Sequence, residues 1–210
     1  MRAERKALWR DSDTLCLERG LKELSIMLYR VEVNPQNIGV VLETPFSLNP
    51  TRVGVAHDPA EWGLLSRLVE ISMNNNILLN SVYEAVKEQI PEIDNIIPGI
   101  WEVLFERARP KTIPVRRTDC TFFFSNKEDA LAFKNTYHNM EIGVLCEVEI
   151  IKEEYSMQAD MKWLDNINEY AVTAREIIEE LRMYWAGELT DKPVMEILFV
   201  GKYKLIPCKS

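Results

Sequence analysis

The sequence predicts an α+β protein: a sheet assembled from strands near both ends of the chain, flanking helices, and a helical insertion at about 61–108. Three observations predict it. Short runs with extended-chain patterning fall at 26–33, 120–125, 143–151 and 194–200, whereas three-to-four-residue apolar spacing dominates 61–108 and 163–185. The two patterns do not alternate as regular βαβ units, which disfavours a parallel doubly wound sheet. With 210 residues, 47% of them hydrophobic and 28% charged, the chain has the size and composition of one globular domain spanning 1–210.

Taken in order, 11–20 reads as the start of a short helix, with Ser12 or Asp13 able to accept from the free N–H groups of a first turn. The run at 26–33 turns extended and stops at Asn34 and Pro35, because proline lacks an N–H and restricts the residue before it. A second short strand is expected at 39–45 and a loop at 47–59. The insertion carries Trp62, Leu65, Leu68 and Val69, then Ile77, Leu78, Val82, Tyr83 and Val86, then Ile100, Trp101, Leu104 and Phe105. Pro91 and Pro98 punctuate it, so three helices are expected rather than one rod. Strands at 120–125 and 143–151 then flank a helix at 126–136.

From Trp163 through Ile167, Ala174, Ile177, Ile178, Leu181 and Trp185 the spacing predicts one long amphipathic helix over 162–186, closed by Gly187. A strand at 194–200 and a partner at 202–206 complete the chain, which contains no internal repeat.

Composition excludes several functions. Twenty-five basic against thirty-three acidic residues give a net charge of −8, which disfavours sequence-independent adhesion to DNA or to an anionic membrane. Lys111, Arg116 and Arg117 form a local basic stretch able to meet phosphate, although a solvated loop is the plainer reading. Cys16, Cys120, Cys146 and Cys208 lie far apart, without zinc-ligand spacing, and read as reduced thiols; no metal is expected. His57 and His138 stand alone in polar surroundings and read as solvated. Residues 1–9 are charged, and no run of about 18 apolar residues occurs, so a cytoplasmic protein without a membrane partner is expected.

Dinucleotide-binding, P-loop, zinc-hydrolase and nucleophile-elbow motifs are missing from the sequence. Two charges in apolar strands remain. Glu196 lies among Val194, Met195, Ile197, Leu198 and Phe199; it faces solvent, pairs with a base or lines a site, and an exposed or edge position is the plainest of the three. Arg30 follows Met27, Leu28 and Tyr29, and either bridges to a carboxylate or binds an anion with its planar fork. Ser125 ends the Phe122 to Phe124 run three residues before Glu128, a spacing that a helix capping box explains.

Three segments carry a resemblance: Leu28-Tyr29-Arg30-Val31-Glu32, the stretch from Thr121 through Ser125 to Phe133, and Met195-Glu196-Ile197-Leu198-Phe199-Val200-Gly201. Together they resemble the spaced strand motifs of ADP-ribosyltransferase-like proteins, above all the DarT-like members and a related group of uncharacterised bacterial and phage proteins. The segments at 160–163 and 184–187 fit that group too. The resemblance implies a split β-sheet and NAD as substrate. It assigns catalysis to Glu196 and Ser125, and NAD contacts to Arg30, Tyr29 and Phe124. It further implies transfer of ADP-ribose to a protein or nucleic-acid acceptor, in a toxin or a phage or host effector. It does not cover 61–108, and Val194 stands where many protein-modifying members carry Glu or Gln. The alternative is a non-catalytic interaction module that keeps the fold. The two readings part on whether Arg30, Ser125 and Glu196 converge on one cleft.

Overall fold

A computed structural model of the chain describes residues 27–44, 58–136, 140–165 and 172–209. The helix start expected at 11–20, most of the loop at 47–59, and Cys16, His57 and His138 lie outside the described residues.

Among the described residues five strands form one sheet: β1 (Leu28–Glu32), β2 (Val41–Glu43), β3 (Thr121–Phe124), β4 (Val144–Asp160) and β5 (Met195–Pro207). Their order is β2-β5-β3-β1-β4, every ladder is antiparallel, and β4 also pairs with β5. That last pairing closes β1, β3, β5 and β4 into a small barrel, with β2 attached outside the ring to the second half of β5. Closure hides the edges that an open sheet would expose. The two long strands make it possible. The first half of β5 pairs with β3 on one side and the end of β4 on the other; its second half pairs with β2 and the start of β4.

The strands expected at 194–200 and 202–206 are therefore one strand, bent at Gly201, which has φ 148°. β4 runs nine residues past the expected end at 151, through a stretch too polar to show an apolar alternation. Leu28, Phe123, Cys146, Val148, Ile197, Phe199, Tyr203 and Leu205 fill the barrel.

Four helices, not three, occupy 59–108: α1 (Pro59–Asn75), α2 (Leu79–Lys87), α3 (Ile93–Ile96) and α4 (Ile100–Ala108). Asp58 caps α1 by accepting from the N–H groups of Ala60 and Glu61, and Asn76, left-handed at φ 53°, ends it without a proline. Beyond β3, α5 (Lys127–Thr136) precedes β4. The long helix expected over 162–186 is divided as well. Its described parts are α6 (Lys162–Asp165) and α7 (Ala174–Ala186), and Thr173 starts the latter in a capping box with Glu176. Gly187 closes α7 at φ 71°, as its position suggested.

α7 packs with α1 and α4 through Leu65, Leu68, Leu104, Ile177 and Leu181, and this core reaches the outer wall of the barrel at Ala159 and Leu198. Ser72 ties the layer together. Its hydroxyl donates to the Ile77 carbonyl (2.6 Å) and accepts from the Ala174 N–H (2.8 Å). The described helices include none long and apolar enough to cross a membrane.

At the end of β4, fully buried Asp160 accepts from the N–H groups of Lys162, Thr190 and Val194 and from the Thr190 hydroxyl, at 2.7–2.9 Å. Burial pushes its carboxyl up, but the hydrogen bonds from Thr190, Lys162 and Val194 outweigh it and hold the group below its ordinary value. Stability from this carboxylate is thus present above the ordinary range and lost as pH falls through the depressed value. Asp160→Ala strands four donors and is expected to cost about 3 kcal/mol in urea unfolding at neutral pH; a loss under about 1 kcal/mol would show that the 188–194 loop does not depend on it.

Candidate functional site

Strand register sorts the five expected site residues. Tyr29 lies opposite Phe124, and Phe124 opposite Glu196. Residues directly opposed across a ladder share a face, so these three form one row on the outer wall of the barrel. Arg30, next to Tyr29, points the other way. Its guanidinium lies with the barrel interior, donating from Nη1 to the Thr121 hydroxyl (2.8 Å) and the Phe122 carbonyl (3.0 Å), with Nε 3.4 Å from Glu32. Buried Glu32 also accepts from the Asn34 N–H, and Thr121 Oγ1 is 3.4 Å from the Tyr203 hydroxyl. Arg30 therefore bridges to a carboxylate structurally. It does not converge with Glu196 on one cleft.

Ser125 follows β3, half-buried. A cap one residue later than the expected box starts α5: Asn126 Oδ1 accepts from the Asp129 N–H (2.7 Å), and the Asn126 side-chain amide donates to the Asp129 carboxylate (2.5 Å). Phe124 is buried against Phe133, ring centroids 5.3 Å apart.

Glu196 is not solvent-facing. It is 6% exposed, because the helical layer covers this part of β5. Its Oε1 accepts from the Tyr184 hydroxyl of α7 (2.6 Å) and lies 3.3 Å from Arg117 Nη2. Arg117 sits in the 3-10 turn before β3, where its guanidinium stacks between the rings of Phe105 (4.4 Å) and Phe122 (4.3 Å). Aromatic faces attract a cation, so a desolvated guanidinium finds there part of what water would have given it. A second carboxylate shares it: Glu102 Oε1 of α4 is 3.8 Å from Arg117 Nη1. Burial, then the charge of Glu196, pushes the Glu102 carboxyl up to about 8. Burial and the same charge raise the Tyr184 hydroxyl well above its ordinary value, so it remains a donor. Burial pushes the neighbouring Cys120 thiol up to about 12, which keeps it protonated and unreactive.

Glu102, Arg117 and Tyr184 are thus the partners that sequence reasoning did not supply for Glu196. Glu102 carried a signal, an acid within Ile100-Trp101-Glu102-Val103-Leu104-Phe105, the same anomaly that singled out Glu196. Arg117 carried none, since a cation in a turn looks solvated. Two members of the basic stretch have internal partners: Arg116 pairs with Asp119 (3.1 Å), and Arg117, its side chain 10% exposed, is turned to Glu196 and Glu102.

The described residues define an α+β protein in which a helical layer covers a closed antiparallel barrel and a buried Glu–Arg–Glu–Tyr network joins the two. The chain belongs to the DUF2441 family, described as a protein of unknown function, which matches residues 64–209. That span includes Glu102, Arg117, Ser125, Tyr184 and Glu196 but neither Tyr29 nor Arg30. No curated protein matches the chain.

Proposed function

We propose that the protein is an ADP-ribosyltransferase-like enzyme that transfers ADP-ribose from NAD to a protein or nucleic-acid acceptor, with Glu196 as its catalytic carboxylate. One observation carries this reading: β1, β3 and β5, which bear the three motifs far apart in sequence, are consecutive neighbours, with Tyr29, Phe124 and Glu196 in one cross-strand row. In the reaction the bond between nicotinamide and ribose C1 breaks, nicotinamide leaves with the electron pair, and an acceptor nucleophile bonds to C1 and loses its proton. Positive charge develops on the ribose meanwhile, as in glycoside cleavage, and a fixed carboxylate beside it lowers the barrier. Tyr29, half-buried, is the aromatic of the row nearest to solvent, Phe124 lies under Phe133, and Ser125 continues from the row. Arg30 has no part at Glu196 in this reading, and NAD reaches Glu196 only when Tyr184 and Arg117 give way.

A second reading, a non-catalytic interaction module of the same fold, is favoured by one specific observation. Arg30 and Glu196 lie on opposite faces of the sheet, and each is held by internal partners. Incubation with NAD labelled in its adenylate part and a cell lysate separates the two. The transferase reading expects label on macromolecules and free nicotinamide, with a loss of about 100-fold or more in a folded Glu196→Gln variant. Equal transfer by both proteins removes Glu196 from catalysis; no transfer and no nicotinamide release by the wild type leaves the interaction module.

A further inference from the structure

Glu102 is a buried carboxylate that the proposed reaction does not use. One guanidinium faces two carboxylates arriving from opposite layers, Glu102 from α4 and Glu196 from β5, at 3.8 and 3.3 Å. All three side chains are nearly closed to water, at 3%, 8% and 10% exposure for Glu102, Glu196 and Arg117. Two anions sharing one cation in a dry place repel each other far more than they would at the surface.

We propose that Glu102 is a buried proton-binding site whose occupancy sets the grip of Arg117 on Glu196, forming a pH-responsive latch between the helical layer and the barrel. With Glu102 protonated, Arg117 serves one anion and sits nearer Glu196. When the proton leaves, the guanidinium is drawn along the slot between Phe105 and Phe122 towards Glu102, and Glu196 is left to the Tyr184 hydroxyl. The other charged groups near the site have partners of their own. Asp119, on the same turn as Arg117, is held by Arg116, and Cys120 at the head of β3 stays a thiol. Tyr184 of α7 donates to Glu196. On α4 itself Glu106 is bound by Arg109, while Arg107 reaches out to Glu70 of α1.

The upward shift of Glu102 to about 8, caused first by burial and then by Glu196, puts the transition near neutral pH. Its sign is fixed. A carboxyl raised by folding contributes stability that is complete below its ordinary value of 4.5 and is lost as pH rises through the folded value.

The inference does not rest on NAD chemistry, so its test uses the protein alone. Near-UV circular dichroism of the wild type is expected to show a one-proton transition centred near about pH 8, with the melting temperature falling between about pH 6 and pH 9. Glu102→Gln, which keeps the shape and cannot titrate, is expected to abolish the transition and to melt at the same temperature at both pH values. Persistence of the transition in Glu102→Gln, or a wild type without one between about pH 6.5 and 9.5, overturns the latch. Should Glu102→Gln fail to fold, carboxyl-carbon NMR of the wild type decides: a glutamate titrating near about 8 supports the latch, and glutamates that all titrate below about 6 refute it.

Discussion

Arg117→Ala is expected to cost about 4 kcal/mol in urea unfolding at neutral pH, a large part of the stability of a domain this size. Three losses combine. Glu196 loses the guanidinium at 3.3 Å, Glu102 loses it at 3.8 Å, and the Phe105 and Phe122 faces lose the cation between them. Breaking a buried pair from one side is more damaging than never having built it, because the remaining charge has neither water nor partner. That asymmetry supplies a control. Arg117→Met combined with Glu102→Gln and Glu196→Gln removes the Arg117 and Glu196 charges together with the titrating Glu102 carboxyl, keeps similar volumes, and is expected to recover at least half of the loss. If Arg117→Ala unfolds within about 1 kcal/mol of the wild type, the network is peripheral to the fold; if the triple variant is no better than Arg117→Ala, the cost lies in packing rather than in unpaired charge.

What the sequence made legible divides along one physical line: a pattern shows when an element buries one face and wets the other. α7 has that form, with Ile177, Ile178, Leu181, Tyr184 and Trp185 buried and its other face open, and Gly187 marks its end, whereas the Thr173 cap at its start lies inside the expected 162–186 helix and was not read. β5 does not. Its inner face, with Phe199, Tyr203 and Leu205, fills the barrel, and its outer face, with Glu196 and Leu198, lies under the helical layer. The run is apolar on both sides, so an acid within it looks alike whether it meets solvent, a ligand or a buried arginine. The deciding partners stand 79 and 12 residues away. Arg30 was more tractable. Period-two geometry places Arg30 and Glu32 on the same face of β1, so an ion pair between them could be foreseen, whereas their position inside a closed barrel could not. The far half of β4 was illegible for the opposite reason. Residues 152–154, just past the expected end at 151, are charged and all exposed, so nothing apolar carried the strand onward there.

The same closure makes Gly201→Ala the second large effect. Gly201 lies in the middle of β5 opposite Glu153, between register shifts at Ile150/Lys152 and Glu153/Tyr155 of β4. An added Cβ would lie 2.0 Å from the Lys152 carbonyl oxygen and 3.0 Å from Phe199 Cζ, and the φ of 148° is one that side-chain-bearing residues rarely adopt. The clash is with backbone, so no rotamer change relieves it; β4 and β5 must separate where their ladder bends. Thr44 is fastened to the same point, its hydroxyl accepting from the Gly201 N–H (2.7 Å) and its N–H donating to the Gly201 carbonyl (3.0 Å). A shift therefore loosens β2 as well. Gly201→Ala is expected to cost about 3–4 kcal/mol, and Gly201→Val to prevent folding. Gly63→Ala is the matched control: Gly63 lies within α1 with nothing within 4 Å of its added carbon, so alanine there is expected to stabilise by about 0.5–1 kcal/mol. Thermal melts of the two alanine variants against the wild type measure both effects. Opposite shifts assign the cost at Gly201 to the β4–β5 crossing, whereas a Gly201→Ala protein that melts with the wild type would mean that the barrel does not close there as described.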